Sequence, residues 1–305
     1  MSINLPTLRQ LQFLLALAEH GSFSRAAEVA CVTQPTLSAG IKELEAILGA
    51  VLVERGARGA TLTPAGEAAV ERARTVLTEA EDLVHAARAA GEPLSGAFRL
   101  GVIPTIAPFL LPQVLPALRR LYPSLELFLR EDLTGRLAEA LKERRLDAAL
   151  IALPYDMPSL EVFPIAEDEF LFAAAPDHPL IKAKKLETQK VAQEPLLLLE
   201  DGHCLRDHAL SVCGTGDHSR GDFAATSLHT LVQMVKSGLG ATLLPRLAID
   251  AGLVEHMELA VRPFDPPVMG REIGMVWRKG SARAEEAKSL AEAVKAAMAK
   301  PSVAA

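Results

Sequence analysis

Residues 64–90 constrain this chain more than any other stretch. After Pro64 and Gly66 in the first turn the run holds no helix breaker, and Ala69, Ala73, Val76, Ala80, Leu83 and Ala87 step by four and three residues in alternation. That is a heptad seam on one long helix. Such a seam either packs on its own protein or pairs with a second helix. This one is narrow and flanked by Glu67, Glu71, Arg72, Arg74, Glu79, Glu81, Asp82 and Arg88, which favours pairing and hence a homodimer. Gly91-Glu92-Pro93 stops the helix.

The helix separates two kinds of pattern. Residues 1–63 read as a small helical unit: Leu8, Leu11, Leu14, Leu15 and Ala18 at helical spacing, a break at Gly21-Ser22-Phe23-Ser24, and a short helix over 25–30. A third helix starts at Thr33-Gln34-Pro35, buries Leu37, Ile41, Leu44 and Leu48, and ends at Gly49. Residues 51–55 and 60–62 read as two short strands, a β-wing. From Gly96 onward strand-like runs (98–103, 125–129, 148–153, 170–175, 195–199, 223–225, 241–244, 273–277) alternate with helical ones (110–121, 135–145, 204–212, 228–238, 282–299). Alternation of this kind predicts a mostly parallel sheet with crossover helices. Its length predicts two lobes around a cleft, lobe I near 96–165 and 270–300, lobe II near 166–269. The domains are thus 1–63, a linker helix 64–91, and an effector domain 95–300; the fold class is α+β overall.

Composition narrows the class. Half of the 305 residues are hydrophobic, which excludes a disordered chain. No apolar run approaches the roughly 18 residues of a membrane span, and Pro6, Arg9, Gln12, Glu19 and His20 interrupt the N-terminus, so neither membrane nor secretory leader is expected. Three Cys cannot staple a chain this long, which points to a reducing, cytoplasmic setting.

Three helices with a short turn before the third have helix-turn-helix spacing. Gln34, Ser38 and Lys42 form one polar stripe on the third helix, and Thr36 lies in its first turn, where short donors and helix N–H groups suit base edges and phosphates. Arg55 and Arg58 on the wing would reach flanking phosphates. Charge alone leaves a plain three-helix bundle equally open: residues 1–63 hold five basic groups (Arg9, Arg25, Lys42, Arg55, Arg58) and five acidic ones (Glu19, Glu28, Glu43, Glu45, Glu54). The motifs go further. Gly21-Ser22-Phe23-Ser24-Arg25-Ala26-Ala27, Thr33-Gln34-Pro35-Thr36-Leu37-Ser38, Leu44-Glu45, Leu48-Gly49, Leu52-Val53-Glu54-Arg55 and Leu62-Thr63-Pro64-Ala65-Gly66 resemble, in order, the N-terminal signature of LysR-type transcriptional regulators. The resemblance implies a winged helix-turn-helix on double-stranded DNA read through Gln34, Pro35, Thr36, Ser38, Lys42 and Arg55. It also implies a linker-helix dimer assembling into a tetramer, and a two-lobed effector domain like periplasmic binding proteins.

The effector half holds a second constellation, Glu200-Asp201-Gly202-His203-Cys204-Leu205-Arg206-Asp207-His208, with Cys213 nine positions after Cys204. Gly202 lets the chain turn after the strand ending at Leu199, so Cys204 starts a short helix. The helix N-terminus, Arg206 and a protonated His203 would all favour thiolate. A model thiol, with pKa ~8.5, is only a few per cent ionised at neutral pH. Thiolate attack on peroxide gives a sulfenic acid, which a second thiol can condense with; Cys213 is the candidate nearby in sequence. A helix from Cys204 to Cys213 would separate their Cα atoms by roughly 13 Å, beyond the ~7 Å limit of a disulfide, so pairing would require the segment to remodel. Two rival readings stand beside this one: a pair of inert buried thiols, and a metal site from His203, Cys204, His208, Cys213 and His218, which lacks the paired spacing of zinc modules.

Asp201-Gly202-His203-Cys204-Leu205-Arg206-Asp207, Cys213 at its spacing, Ala225-Thr226-Ser227-Leu228, Gly101-Val102-Ile103-Pro104-Thr105 and Leu111-Pro112 resemble the peroxide-sensing branch of the same family. The resemblance implies Cys204 as the peroxidatic residue and Cys213 as the resolving one. Thr105 would hold a peroxide oxygen, His203, Arg206 and Asp207 would shape the pocket, and Arg278 and Thr134 would complete it. It implies hydrogen peroxide as the signal, with no cofactor or metal. RNA polymerase would be a partner and glutaredoxin with glutathione the reductant, with stoichiometric rather than enzymatic use of peroxide. The branch commonly has His where this chain has Asp222, before Phe223. Cys31, at the end of the second helix, reads as a buried thiol without a redox role. The other readings are a regulator binding a small organic ligand in the cleft, and a thiol peroxidase, which would leave residues 1–63 unexplained.

Overall fold

The computed structural model of the chain describes residues 4–56, 59–89, 94–213 and 224–299. Within these, Arg55 and Cys213 are described by backbone alone, and Arg58, Gly91–Pro93, Gly214–Gly216, His218, Asp222 and Phe223 lie outside the described residues. The chain divides into two compact units, residues 1–90 and 91–305.

In the first unit α1 (Leu8–His20), α2 (Phe23–Val29) and α3 (Gln34–Leu48) precede a two-stranded wing, β1 (Val53–Gly56) and β2 (Gly59–Leu62), and then α4 (Pro64–Ala89). Thr7 and Gln10 form a reciprocal capping box on α1, and Thr33 caps α3 with Pro35 in its first turn. Gly21 and Gly49 end α1 and α3 in the left-handed conformation. Leu11, Phe13, Leu14 and Leu17 meet Ala26, Leu37, Ile41 and Leu44 in one core. The wing is tied down by the Ala60 N–H, which donates to Gly21 O at 2.8 Å.

Helix α4 also spends part of its seam here. Ala73 is buried in this core and Ala69 packs against it, whereas Val76 and Leu83 stay exposed. The N-terminal half of the heptad seam therefore serves its own unit, because α1 covers that face. Cys31 differs from expectation as well. It is exposed and takes φ 52° in the turn that closes α2, where the left-handed backbone turns the side chain outward.

The second unit runs β3 (Gly96–Val102), α5 (Ala107–Leu121), β4 (Leu125–Glu131), α6 (Thr134–Lys142), β5 (Ala148–Leu153) and the long β6 (Leu160–Ala174). Then come α7 (Pro179–Lys182), α8 (Thr188–Val191), β7 (Leu198–Leu199), α9 (Cys204–Cys213), β8 (Ala224–Ala225), α10 (Leu228–Lys236), β9 (Thr242–Pro245), α11 (Arg246–Asp250), β10 (Ala260–Pro263), β11 (Met269–Arg278) and α12 (Ala284–Met298). The main sheet has the order β10-β6-β11-β5-β3-β4, with β9 also on β6. Pairs β3/β4, β3/β5 and β7/β8 are parallel. Every pair made by β6 or β11 is antiparallel, so the sheet is mixed rather than mostly parallel. The two strands run in opposite directions. Local hydrophobic pattern does not report strand direction, and Glu161, Pro164, Glu167 and Asp168 hid the first half of β6.

Candidate functional site

In the first unit, α3 presents one polar face. Gln34, Pro35, Thr36 and Lys42 are exposed and Ser38 is half-buried, while Leu37, Ile41 and Leu44 are buried opposite them. Thr33 Oγ1 accepts from the Thr36 N–H at 3.4 Å, and the two hydroxyls share a hydrogen bond of 2.8 Å, which fixes the first turn. Two of the unit's acidic groups are occupied by structure. Glu43 accepts from Gln10 Nε2 at 3.1 Å. Glu45 Oε1 accepts from the N–H groups of Leu52 and Val53 at 2.8 and 3.2 Å, pinning the start of the wing to α3. Arg9 is occupied too: its guanidinium donates to Ala30 O at 3.0 Å and lies over the Phe13 ring. Arg55 sits on β1.

In the second unit, a cavity of about 550 Å³ opens where β5 ends, β11 begins and α9 lies across them. Leu153, Pro154 and Tyr155 form one wall, Gly270, Arg271 and Glu272 a second, and Cys204, Asp207, His208 and Ser211 a third. The last four are one helical face, since i, i+3, i+4 and i+7 lie above one another. Gly202 at φ 94° makes the turn that sets Cys204 at the first position of α9. Gly270 lies flat against Phe170, where a Cβ would meet the ring at 2.5 Å, and this close passage brings Arg271 to the cavity wall.

Arg271 is fully buried. Its Nε donates to Asp168 Oδ2 at 2.9 Å, and its two terminal nitrogens donate to Thr105 Oγ1 at 2.7 Å and Thr105 O at 3.0 Å. Asp168 Oδ1 accepts from the Leu247 N–H at 2.9 Å. Thr105, in the turn after β3, thus stands behind Arg271, its oxygen accepting and its hydroxyl proton free to donate. Thr134 opens α6 and is buried, its hydroxyl lacking a partner among the described residues. The neighbouring Leu133 abuts Gly202, so the start of α6 adjoins the loop that leads to Cys204.

Other predicted residues sit elsewhere. Arg206 turns back on its loop, donating to Leu199 O at 3.2 Å and pairing with Asp201 at 3.0 Å. His203 is buried, and burial pushes its pKa below the usual range against the opposing pull of Glu200, which works against the protonated imidazole expected there. Arg278 does not complete the cavity. It lies at the far end of β11, seven residues or about 23 Å of strand from Arg271, and donates to Leu141 O and Leu146 O. The arginine brought to Thr105 is Arg271, which sequence reasoning missed because Arg278 flanks the same apolar run at its more conspicuous end. The signal was a lone Gly-Arg entering a strand. His208 lines the cavity too, and Asp168, outside the lining, holds Arg271 in place. Burial, then the Arg271 charge, lowers the His208 pKa, against a Pro154 backbone hydrogen bond and Asp207. Among the described residues no three His, Cys, Asp or Glu gather as metal ligands do, and no helix is long and apolar enough to cross a membrane.

Two family descriptions match the chain: a bacterial regulatory helix-turn-helix of the LysR family over residues 8–67, and a LysR substrate-binding domain over residues 91–299. The chain is 42% identical to the HTH-type transcriptional regulator EstR of Acinetobacter baylyi, covering 91% of this chain and 92% of that one. It is 41% identical to the DNA-binding transcriptional dual regulator OxyR of Escherichia coli, covering 95% of each. Among solved structures it resembles a full-length OxyR variant from Pseudomonas aeruginosa, with TM-score 0.77, 35% identity, and coverage of 95% and 98%. It also resembles a cysteine variant of Corynebacterium glutamicum OxyR with hydrogen peroxide bound, with TM-score 0.67, 36% identity, and coverage of 97% and 94%.

Proposed function

The chain belongs to the LysR family of helix-turn-helix transcriptional regulators, and from that premise we propose that it is a DNA-binding sensor of hydrogen peroxide. The observation that carries the reading is Cys204, a buried free thiol at the first position of α9 and in the wall of the cavity that Arg271 borders. The OxyR relatives support the same reading.

In this mechanism the Cys204 thiolate attacks one peroxide oxygen, the O–O bond breaks, and the other oxygen leaves as water once protonated. The sulfenic acid so formed is attacked by the Cys213 thiol, a second water leaves, and a Cys204–Cys213 disulfide remains. Each event consumes one peroxide, so the chain acts as a switch and not as an enzyme. Thr105 and Thr134 supply hydroxyls to the peroxide, Asp207 borders it, and His203 and Arg206 hold the loop that presents Cys204. Closing the disulfide remodels α9 and repacks the effector lobes. The DNA-bound dimer, paired into a tetramer, then changes its grip through Gln34, Pro35, Thr36, Ser38, Lys42 and Arg55, and RNA polymerase reads the change at peroxide-defence genes. Glutaredoxin with glutathione resets the thiols in the cytoplasm.

Intact mass after one equivalent of hydrogen peroxide tests this. The wild-type chain is expected to lose two hydrogens, and Cys204→Ser and Cys213→Ser are expected not to. A second reading has its own support: the cavity volume of about 550 Å³ would admit a small organic effector. An unchanged wild-type mass would overturn the peroxide reading in favour of that one.

A further inference from the structure

Cys204 and His208 are one helical turn apart on α9 and line the same cavity wall. His208 is nine-tenths buried, and its Nδ1 has no hydrogen-bond partner among the described residues. An imidazole nitrogen buried without a partner is costly to keep, unless it meets something that enters the cavity or a proton that leaves a neighbour. We propose that His208 is the proton acceptor for Cys204 in the reaction with peroxide, taking the thiol proton at Nδ1 and returning it to the departing oxygen. The inference rests on the reading of Cys204 as the peroxide-reactive residue.

The step balances without a further reagent. The thiol proton passes to His208, the thiolate attacks a peroxide oxygen, the O–O bond breaks, and the hydroxide that leaves takes the proton back from the imidazolium. Sulfenic acid and water are the products, and His208 ends neutral. The surroundings suit this cycle. Arg271 and Glu272 on β11, Pro154 and Tyr155 at the end of β5, and Asp207 and Ser211 on α9 line the cavity with His208, and of these Arg271, the Pro154 backbone and Asp207 act on its imidazole. Among the described residues neither α8 nor β7 contributes to the cavity lining. Burial and the Arg271 charge lower the His208 pKa and so favour the neutral imidazole, which is the form that accepts a proton. His203, on the other side of Cys204, does not line the cavity.

The test is the rate of Cys204 oxidation in the full-length reduced chain, followed by trapping the sulfenic acid with a dimedone probe from pH 5 to 9. His208→Gln is expected to slow the reaction roughly 100-fold, the lower end of general acid–base contributions, and to leave a rate that falls with thiolate alone as pH drops. Wild type should hold a plateau below pH 6.5 that ends where His208 itself protonates, and His203→Gln should keep that plateau. Imidazole added to His208→Ala should restore rate, an effect that a packing role would not give. If His208→Gln does not fold, the wild-type and His203→Gln profiles decide alone: without the plateau the proposal falls. A His208→Gln rate and profile equal to wild type would overturn the inference while leaving the sensor reading intact. Failure of the wild-type chain to oxidise at Cys204 would overturn both.

Discussion

Arg271 is held where it is by acceptors on every side: a carboxylate from β6 and two oxygens of Thr105. A guanidinium with no exposed side chain survives burial only because each charge has a partner with good geometry. Removing one partner leaves the other charged and dry. Arg271→Met is therefore expected to destabilise the effector unit by about 3–5 kcal/mol, and Arg271→Met with Asp168→Leu should recover part of that loss. Arg278→Ala gives up contacts that include the Leu141 and Leu146 carbonyls and should cost less. The chain's single Trp, Trp277, is buried in this unit, so urea unfolding followed by its fluorescence reads all three. An Arg278 variant as damaging as the Arg271 one would mean that the buried pair is not the main strut. The contrast also marks where sequence reading stops. Cys204 and Asp207 were legible in their motif, and Thr105 only through the family resemblance. Arg271 and Asp168 were not, because their contact joins paired antiparallel strands that lie 103 residues apart in sequence, and local pattern does not carry it.

At the scale of the element, the proposed switch lies on the short helix α9. Its hydrophobic spacing and Gly202 made it readable in advance, as Thr33 and Gly49 made α3. The antiparallel strands β6 and β11 were not readable, since pleat alternation says which face is buried and nothing about direction. Residues Cys204 to Cys213 form one continuous helix, which spaces the terminal Cα atoms by roughly 13 Å, while a disulfide needs them within about 7 Å. Oxidation must then unwind at least part of α9. Hydrogen exchange on the peroxide-treated chain should show amide protection lost across residues 204–213 and retained in α10, with Cys204→Ser showing no change. Full protection of α9 in a chain that has lost two hydrogens would contradict the remodelling.

For the whole molecule, charge and symmetry have to be weighed together. The net charge is −6, yet residues 1–63, the helix-turn-helix and wing, balance five basic against five acidic groups, and Glu43 and Glu45 spend their carboxylates on Gln10 and on the wing rather than facing a phosphate. One such unit is a weak electrostatic binder. Two joined units are not, because the second contact becomes intramolecular and raises affinity by about 10²–10⁴. In the proposed dimer the join would fall to the distal part of α4, since the proximal seam residues Ala69 and Ala73 are already packed in their own core while Val76 and Leu83 are exposed, Leu83 by 72%. Leu83→Glu puts like charges into a paired seam without touching that core. It should convert dimers to monomers in sedimentation velocity, weaken DNA binding about 100-fold or more, and leave the melting of the first unit unchanged. Ala73→Glu, by contrast, buries a charge in the unit's own core and should unfold it. A Leu83→Glu chain that still sediments as a dimer at micromolar concentration would move the dimer contact off α4 altogether, and the exposed apolar residues of that helix would then need another reason to exist.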